Sequence, residues 1–309
     1  MIYTLTLNPA IDRELTIADV QFDSVLSAVH SRVDIGGKGF NVSRLLRSMG
    51  TTSIALGFVG GYAGDQLRAG LQALGVATDF VAISDETRTN VSIVTERHDR
   101  YLKVNEKGPL VNEASQQALL DKVAALAQAG DWWVLAGSVP PGVSASYYAR
   151  IIQILNHRDA VCILDTTGES LRQGCEARPF LVKPNADEVH WLTGLPVDTP
   201  DQLIVAAAAL RDLGAQNVVV SLGKKGALLH TADGTWQAHS PRIQEKNPIG
   251  AGDSMVGGMV WSLSQGHALK DALGWGIASG AATASLSGTE VGTRESIEAL
   301  HQRVEYEQL

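Results

Sequence analysis

The feature that most constrains the fold is a regular alternation of short apolar runs and amphipathic segments in the second half of the chain. The apolar runs have the length of strands and occupy residues 132–138, 161–165, 180–185 and 217–223. Segments with the spacing of helices lie before or between them, at residues 113–129, 144–156 and 200–213. Consecutive apolar residues are typical of strands that are buried on both faces. The pattern therefore predicts an α/β fold with helices on both faces of a mostly parallel sheet.

Two segments nearer the N-terminus do not follow this rhythm. Residues 11–35 and 88–107 combine short strand-like runs with interleaved charged residues. They predict a small second sheet, inserted at the edge of the main domain, that serves as a lid. The chain closes on three segments that predict helices rich in small residues, at residues 252–265, 268–287 and 294–306. We expect one domain over residues 1–309 together with this lid.

Composition and charge exclude several classes of protein. The net charge of −8 disfavours a nucleic-acid partner, which needs a basic face, but it leaves anionic small molecules open because a local cluster of cations can bind them. Two cysteines are too few for a disulfide scaffold, and the eight histidines are scattered along the chain. The N-terminus lacks a signal-like stretch, and no run of apolar residues is long enough to span a membrane. We expect a cytoplasmic protein.

The most informative motif is the segment GAGD at residues 250–253, which opens an Ala- and Gly-rich helix. Free backbone N–H groups of Gly250, Ala251 and Gly252 at a helix start predict an anion hole. Asp253 beside them predicts a general base next to a transferred phosphoryl group. A simpler interpretation remains open, in which Asp253 is a helix N-cap and the small residues only permit close packing.

Three more segments place glycine or asparagine at the end of a strand or before a helix. GGKGFN at residues 36–41 offers backbone approach and the charge of Lys38 to a phosphate, or it is only a turn with an exposed lysine. KPNADE at 183–188 offers Asn185 and Glu188 as oxygen ligands that suit Mg²⁺ through water. SLGKKG at 221–226 is a further glycine-bearing strand end. Such strand ends are where α/β sheets bind ligands.

These motifs and their order resemble those of the ribokinase-like, or phosphofructokinase B, sugar kinases. The resemblance covers nearly the whole chain. It runs through TLTLNPAID (4–12), GGKGFNV (36–42), TRTN (87–90), KGP (107–109), AGSVPPG (136–142), DTTGE (165–169), VKPNADE (182–188), VSLGKKG (220–226) and GAGDSMVGG (250–258). It implies a three-layer αβα, Rossmann-like domain with a small β-sheet lid, and a homodimer through that lid. It also implies phosphoryl transfer from ATP, with Mg²⁺, to a hexose phosphate.

The resemblance carries roles onto individual residues. Asp253 matches the catalytic base, and the three residues before it match the anion hole. Positions that line or contact the sugar phosphate are matched by Asp12, Gly37, Lys38, Asn41, Arg88, Asn90 and Ser138, with Lys38 and Arg88 at the substrate's own phosphate. Nucleotide-side positions are matched by Lys183, Asn185, Ser221, Gly223, Gly226 and, by position only, by Ser279 with its neighbours Ala278 and Ala282. Asn185 and Glu188 match the family's N-x-x-E motif, which is tied to Mg²⁺.

The identity of the sugar stays open at this point. GGKG and TRTN resemble the pattern of 1-phosphofructokinases and favour fructose 1-phosphate, whereas Asn247-Pro248-Ile249 before GAGD resembles tagatose-6-phosphate kinases. Fructose 6-phosphate is a third candidate. A sensor that keeps the fold without catalysis is the non-enzyme alternative, and the intact motifs disfavour it. A dinucleotide-dependent oxidoreductase is disfavoured because Asn8-Pro9, not G-x-G-x-x-G, follows the first strand.

Overall fold

The computed structural model describes residues 1–97, 100–288 and 290–309; residues 98 and 99, within the predicted lid segment 88–107, and residue 289 lie outside the described residues. The strands are β1 (Ile2–Thr6), β2 (Ala10–Ile17), β3 (His30–Gly36), β4 (Ile54–Val59), β5 (Ala77–Thr78), β6 (Val81–Ala82), β7 (Arg88–Thr95), β8 (Tyr101–Val104), β9 (Trp132–Ala136), β10 (Val161–Asp165), β11 (Leu181–Val182), β12 (Asn217–Ser221), β13 (Ala227–His230), β14 (Thr235–His239) and β15 (Glu305–Gln308). The helices are α1 (Lys38–Ser48), α2 (Gly61–Ala73), α3 (Glu113–Leu126), α4 (Tyr147–Asn156), α5 (Gly168–Glu176), α6 (Ala186–Thr193), α7 (Pro200–Asp212), α8 (Ala251–Ser264), α9 (Leu269–Ala284) and α10 (Arg294–His301), and a 3₁₀ turn covers Gly223–Lys225.

The main sheet has eleven strands in the described part of the chain. Ten follow the order β15-β14-β13-β12-β11-β10-β9-β1-β4-β5, and β6 pairs with β4. Pairing is parallel from β5 across to β12 and antiparallel from β12 to β15. Parallel strands need crossover helices, which explains the strand–helix alternation in the sequence. The α/β class that the alternation predicts is confirmed.

Each central strand is buried on both faces. In β9, Trp133 and Leu135 pack into a core with α3 to α7, whereas Val134 and Ala136 pack into a second core with α1, α8, α9 and α10. Successive side chains of a strand point to opposite faces, so one run of apolar residues serves both layers. The result is the predicted arrangement of helix, sheet and helix layers.

A second, four-stranded sheet forms from the two segments that break the rhythm, in the order β3-β2-β7-β8. β2 pairs antiparallel with β3 and parallel with β7, and this register puts Asp12 opposite both Asp34 and Asn90. Ile11 and Ile35 attach the sheet to a small core beneath α2. Asp12 and Asn90 lie on the other face with Arg88, whose hydrogen bond to the carbonyl of Asn8, just after β1, places this polar row beside the carboxyl edge of the main sheet.

Three details differ from the sequence-based expectations. The predicted helix over 294–306 ends at His301, because the chain continues into β15, which pairs with β14, and Val304 before this strand and Tyr306 within it pack on the core. The predicted strand over 180–185 is only the two residues of β11. The residues that follow it form α6, a helix that the apolar periodicity did not predict.

Within residues 1–97, 100–288 and 290–309, no helix has the length and apolar character needed to cross a bilayer. Cys162 and Cys175 are free and buried.

Candidate active site

Several candidate residues meet at the carboxyl edge of the parallel strands. Asp165 is the last residue of β10, Ser221 is the last residue of β12, and Lys183 directly follows β11. The N-terminal ends of α1 and α8 face the same edge, since Asn41 of α1 and Asp253 of α8 are hydrogen bonded. Ligands of open α/β sheets bind at this edge.

Asp253 is a buried carboxylate in the first turn of α8. The N-cap of α8 is Gly250, whose φ of 80° is in the left-handed region that favours glycine, and no side chain caps this helix end. The interpretation of Asp253 as the N-cap is therefore wrong. Its Oδ2 accepts a 2.8 Å hydrogen bond from the amide of Asn41. Burial first, and then the charge of Asp165, raise the pKa of Asp253 to about 6, although Lys38, Asn41 and Lys183 oppose the shift.

The backbone at the start of α8 provides donors for an anion. The N–H of Ala251 is not among them, because it donates to the carbonyl of Pro248 at 3.1 Å in a turn. The N–H groups of the predicted Gly250 and Gly252, and that of Asp253, have no hydrogen-bond acceptor among the described residues. A Cβ placed on Gly252 would lie 3.7 Å from Nζ of Lys183, so a lysine faces the same helix end. Unpaired N–H groups beside a cation make an anion site.

Two lysines share the carboxylate of Asp165, which sequence analysis did not single out. Oδ2 of Asp165 lies 3.3 Å from Nζ of Lys38, and Oδ1 lies 3.4 Å from Nζ of Lys183. Burial opposes the charge of Lys38, but the carboxylates of Asp165, Asp253 and Glu188 hold its pKa above the ordinary value. Lys38 is therefore more than an exposed lysine on a turn.

A second polar cluster lies between the four-stranded sheet and the main sheet. Asn90 donates to Asp12 at 2.8 Å, and the guanidinium of Arg88 donates to the backbone carbonyl of Asn8 at 2.9 Å. The amide of Asn8 lies 3.4 Å from the hydroxyl of Ser138. Burial lowers the pKa of Arg88, and the charges of Asp12 and Glu106 oppose that shift.

This cluster keeps buried polar atoms without partners. They are Oδ1 of Asn8, Oδ1 of Asn90 and Nε of Arg88. Buried polar groups are normally hydrogen bonded, so such a concentration points to a polar ligand. Asn8 belongs to the motif TLTLNPAID, but the sequence did not predict a role for it.

Two residues that the resemblance assigns to one phosphate have different partners in the structure. Arg88 lies with Asn8 and Asp12, whereas Lys38 lies with Asp165 and within the electrostatic reach of Asp253. Gly37, at the N-cap of α1, has a φ of 148°, and a Cβ there would come within 2.6 Å of the ring of Phe40. Glycine is thus required where the chain turns into α1.

A cavity of about 520 Å³ borders the start of α8 at Ala251 and Gly252. This volume lies within the range of small-molecule sites. Its lining includes the predicted Ser221, Gly223 and Gly226, together with Arg242 and Glu245, which sequence analysis missed. Gly226 has a φ of 104°, and a Cβ there would collide with the carbonyl of Ala238 at 2.0 Å.

Ser279 does not line this cavity. The wall that α9 contributes is formed by Ile277, Gly280, Ala281 and Ala284, which repeat with the period of a helix. Ser279 lies on another face of α9, fully buried against Gly258 of α8, where a Cβ would come within 2.3 Å of its hydroxyl. Its neighbours Ala278 and Ala282 are buried in the core. None of the three lines this cavity, and their assignment to the nucleotide side stays a prediction.

Asn185 and Glu188 form a capping box at the start of α6. The side chain of Asn185 accepts from the N–H of Glu188, and the side chain of Glu188 accepts from the N–H of Asn185, both at 2.8 Å. This reciprocal arrangement explains the helix that the periodicity missed. No group of three or more His, Cys, Asp and Glu side chains is placed to hold a metal ion in the part of the chain that the structure describes.

The raised pKa of Asp253 implies that its charge destabilises the folded state above pH 6. A group whose pKa is raised on folding contributes stability below its unfolded value, and that stability is lost as the pH rises through the folded value. The pKa rises from 3.8 to about 6, a shift of roughly two units that corresponds to about 3 kcal/mol. We expect Asp253→Asn to increase the free energy of unfolding by about this amount at pH 8, and by much less near pH 4. Urea denaturation at the two pH values measures it, and an equal change at both would contradict the burial of a charged Asp253.

Comparisons with known proteins identify the family of the chain. Residues 3–299 match the model of the pfkB family of carbohydrate kinases. The chain is 35% identical to a 1-phosphofructokinase of Borreliella burgdorferi over 285 residues, which are 92% of each protein. The crystal structure of Escherichia coli phosphofructokinase-2 in complex with potassium is similar, with a TM-score of 0.93, 30% identity and 98% coverage of both chains. An Arabidopsis thaliana ribokinase shares the fold, with a TM-score of 0.77 at 20% identity and coverage of 97% of this chain and 98% of that chain.

The predicted ribokinase-like fold is thus confirmed, and ATP is the phosphoryl donor that membership of this kinase family implies. The chain belongs to the pfkB family of carbohydrate kinases and is a sugar-phosphate kinase.

Proposed function

We propose that the protein transfers the γ-phosphoryl group of ATP to the 6-hydroxyl of fructose 1-phosphate, which gives fructose 1,6-bisphosphate and ADP. The observation that carries this proposal is the pairing at the start of α8. There a buried carboxylate, Asp253, lies next to the free N–H groups of the same helix end. Phosphoryl transfer requires a base for the attacking hydroxyl and donors for the group in transit, and this helix end supplies both.

In this mechanism, Asp253 accepts the proton of the sugar hydroxyl. The hydroxyl oxygen then forms a bond to the γ-phosphorus, and the bond between that phosphorus and the β,γ-bridging oxygen breaks as ADP leaves. Asn41 holds the carboxylate in place through its 2.8 Å hydrogen bond. The N–H groups of Gly252 and Asp253 and the ammonium groups of Lys38 and Lys183 offset the negative charge around the phosphoryl group.

Mg²⁺ would supply further neutralisation of the ATP phosphates when it is bound. The residues at the site fit such an ion, because Mg²⁺ keeps most of its water and needs only one or two carboxylates beside substrate phosphates. Glu188 is the carboxylate that we assign to it, with Asn185 as its neighbour. One carboxylate oxygen of Glu188 accepts the hydrogen bond of the capping box. The negative charge of Glu188 also contributes to the raised pKa of Lys38.

The polar cluster beside the four-stranded sheet suits the sugar phosphate. Asp12, Asn90 and Ser138 offer hydroxyl-binding groups. The buried carbonyl oxygens of Asn8 and Asn90 lack donors that sugar hydroxyls would provide. We assign the substrate's own phosphate to Arg88, whose buried Nε also lacks a partner.

Two other hexose phosphates compete with fructose 1-phosphate. Tagatose 6-phosphate is favoured by Asn247-Pro248-Ile249, where Asn247 donates to the carbonyl of Gly288 and shapes the segment before α8. Fructose 6-phosphate is the third candidate. Fructose 1-phosphate has the support of GGKG and TRTN and of the relative from Borreliella burgdorferi.

A comparison of kcat/KM for the three hexose phosphates, with ATP and Mg²⁺, tests the proposal. We expect fructose 1-phosphate to be the best substrate by at least about tenfold, which corresponds to about 1.4 kcal/mol of transition-state binding. A preference for either other sugar would transfer the proposal to that sugar. If a sugar phosphate binds but ATP is not converted to ADP with any of the three, the result would instead support a non-catalytic sugar-phosphate sensor.

Asp253→Asn removes the base while keeping the shape and the hydrogen bond from Asn41. We expect kcat to fall by at least about 10³-fold, with ATP affinity nearly unchanged. In the wild type, kcat/KM should decline as the pH drops below about 6, because a protonated Asp253 cannot accept the proton. Steady-state kinetics from pH 5 to 8 checks both results. A variant with kcat within tenfold of the wild type would refute the assignment of the base.

Arg88→Ala removes the cation that we assign to the substrate's phosphate. We expect KM for the sugar phosphate to rise by about 10² or more, and kcat/KM for the matching sugar without a phosphate to change much less. Arg294→Ala is a matched control, since this arginine pairs with Glu298 on α10 and not with the site. Equal losses on the two sugars would contradict the role of Arg88.

The face of the four-stranded sheet opposite Asp12 is mostly apolar. Beyond Ile11 and Ile35, which pack into the core with α2, the registers put on this face Leu15, Val33, Val91, Ile93, Leu102 and Val104, with the exposed Arg13 among them. Val33, Leu102 and Val104 are exposed by 45%, 50% and 57%. A contiguous exposed apolar patch marks an interaction site. We propose that this face packs against the same face of a second copy, which gives the homodimer.

Val33→Glu combined with Leu102→Glu should convert this dimer to a monomer, because each change places a charge in the apolar contact. Val205→Glu, at a 58% exposed residue of α7, is the control and should leave the mass unchanged. Light scattering over a range of concentrations measures the mass. A wild type that is monomeric, or a charged variant that stays dimeric, would contradict the proposal.

A further inference from the structure

Asp165 occupies a position between the two halves of the site. It ends β10, and its carbonyl accepts a 2.9 Å hydrogen bond from the N–H of Gly137. Its carboxylate is 2% exposed and meets Lys38, from α1, with one oxygen and Lys183, from the segment after β11, with the other. Lys183 faces the helix end that borders the cavity, whereas Lys38 belongs to the helix that holds Asn41.

The contacts of Asp165 are long for charged groups. Charge-assisted hydrogen bonds between nitrogen and oxygen measure about 2.7–2.9 Å, whereas these are 3.3 and 3.4 Å, and Oδ1 of Asp165 has no hydrogen bond. Burial of a carboxylate without close partners lowers the free energy of unfolding. The chain therefore keeps Asp165 at the expense of stability. Each ammonium group has three donors, so it can keep its contact with Asp165 and donate to a phosphate as well.

We propose that Asp165 is a positioning residue for the phosphoryl transfer, which holds Lys38 and Lys183 on either side of the group in transit through one shared carboxylate. This inference rests on the proposed function of the site. Asp165 does not act on the substrate itself, and it works through the two lysines. A single rigid strand end thereby fixes the separation between a cation on the nucleotide side and a cation on the acceptor side.

The same carboxylate also acts on Asp253. The charged and polar groups that face Asp253 are Lys38 and Asn41 from α1, Asp165 from β10 and Lys183 from the segment after β11. Of these, only Asp165 is negative, and its charge raises the pKa of Asp253. Removal of this charge should therefore lower the pH at which the rate begins to decline, which a purely structural residue would not do.

A double-mutant cycle tests the proposal. Asp165→Asn keeps the shape of the side chain and removes its charge. We expect it to lower kcat/KM by about 10²-fold, and by less than threefold when Lys38 and Lys183 have both been replaced by Met, because Asp165 then has nothing to position. We also expect the acid limb of its pH profile to move to lower pH. Additive losses, or an unmoved acid limb, would overturn the proposal.

Asp131→Asn is the matched control. Asp131 is a buried carboxylate at the opposite edge of the same sheet, where it pairs with the N-terminal amine of Met1 at 2.8 Å. The Asp131→Asn variant should have a lower free energy of unfolding than the wild type, with the same kcat/KM and the same acid limb of the pH profile. If Asp165→Asn behaves in the same way, its role is structural and the proposal fails. Should Asp165→Asn not fold, Asp165→Ser, which leaves room for water beside both lysines, takes its place.

ADP binding separates this inference from the proposed function. Calorimetry with ADP needs no turnover, so it can be read for the wild type, Asp165→Asn, Lys183→Met and the double variant. We expect the effect of Asp165→Asn on the Kd of ADP to disappear when Lys183 is Met. A wild type without activity on any hexose phosphate would refute the proposed function alone, whereas independent effects on ADP binding would refute the role of Asp165.

Discussion

The burial of two carboxylates at one edge of the main sheet is the constraint on which the site depends. Asp165 and Asp253 are almost fully inaccessible to water, and they are close enough for their charges to oppose each other. Ionised carboxylates are tolerated in such surroundings only with cations or donors beside them. Lys38, Lys183 and Asn41 supply these partners. The strand ends and helix ends around them are the scaffold that holds this set of charges in place.

The distribution of charge explains how an acidic protein handles anionic substrates. The chain carries a net charge of −8, yet the groups that can donate to an anion at the site are two lysines and the start of a helix, beside the carboxylates of Asp165 and Asp253. Exposed charges farther away than about 10 Å are screened by salt, whereas these groups act at contact distance. Net charge therefore says little about whether a protein binds phosphorylated metabolites.

Local signals predicted much of the fold and part of the site. Apolar periodicity found the parallel strands and most helices, and glycine-rich segments found the turns at α1 and α8. Ser279 is assigned from the resemblance by position only, and the part of α9 that lines the cavity is formed by other residues of the same helix. The capping box of α6 is a polar signal that was interpreted only as a metal motif. The pairing of Lys38 with Asp165 joins residues 127 positions apart, a separation that no local pattern reports.

The two-sided character of the four-stranded sheet depends on its register. Asp12 and Arg13 are neighbours in β2, yet the first belongs to the polar row beside the site and the second to the opposite, apolar face. Because side chains alternate, a slip of one residue would exchange the two faces. One residue inserted within β2 ahead of Asp12 would thus turn the side chain of Asp12 away from the site. The neighbouring side chains of β2 would then face the site in its place. The same insertion between β2 and β3 would leave both faces intact, so tolerance to changes in length should differ sharply between neighbouring positions.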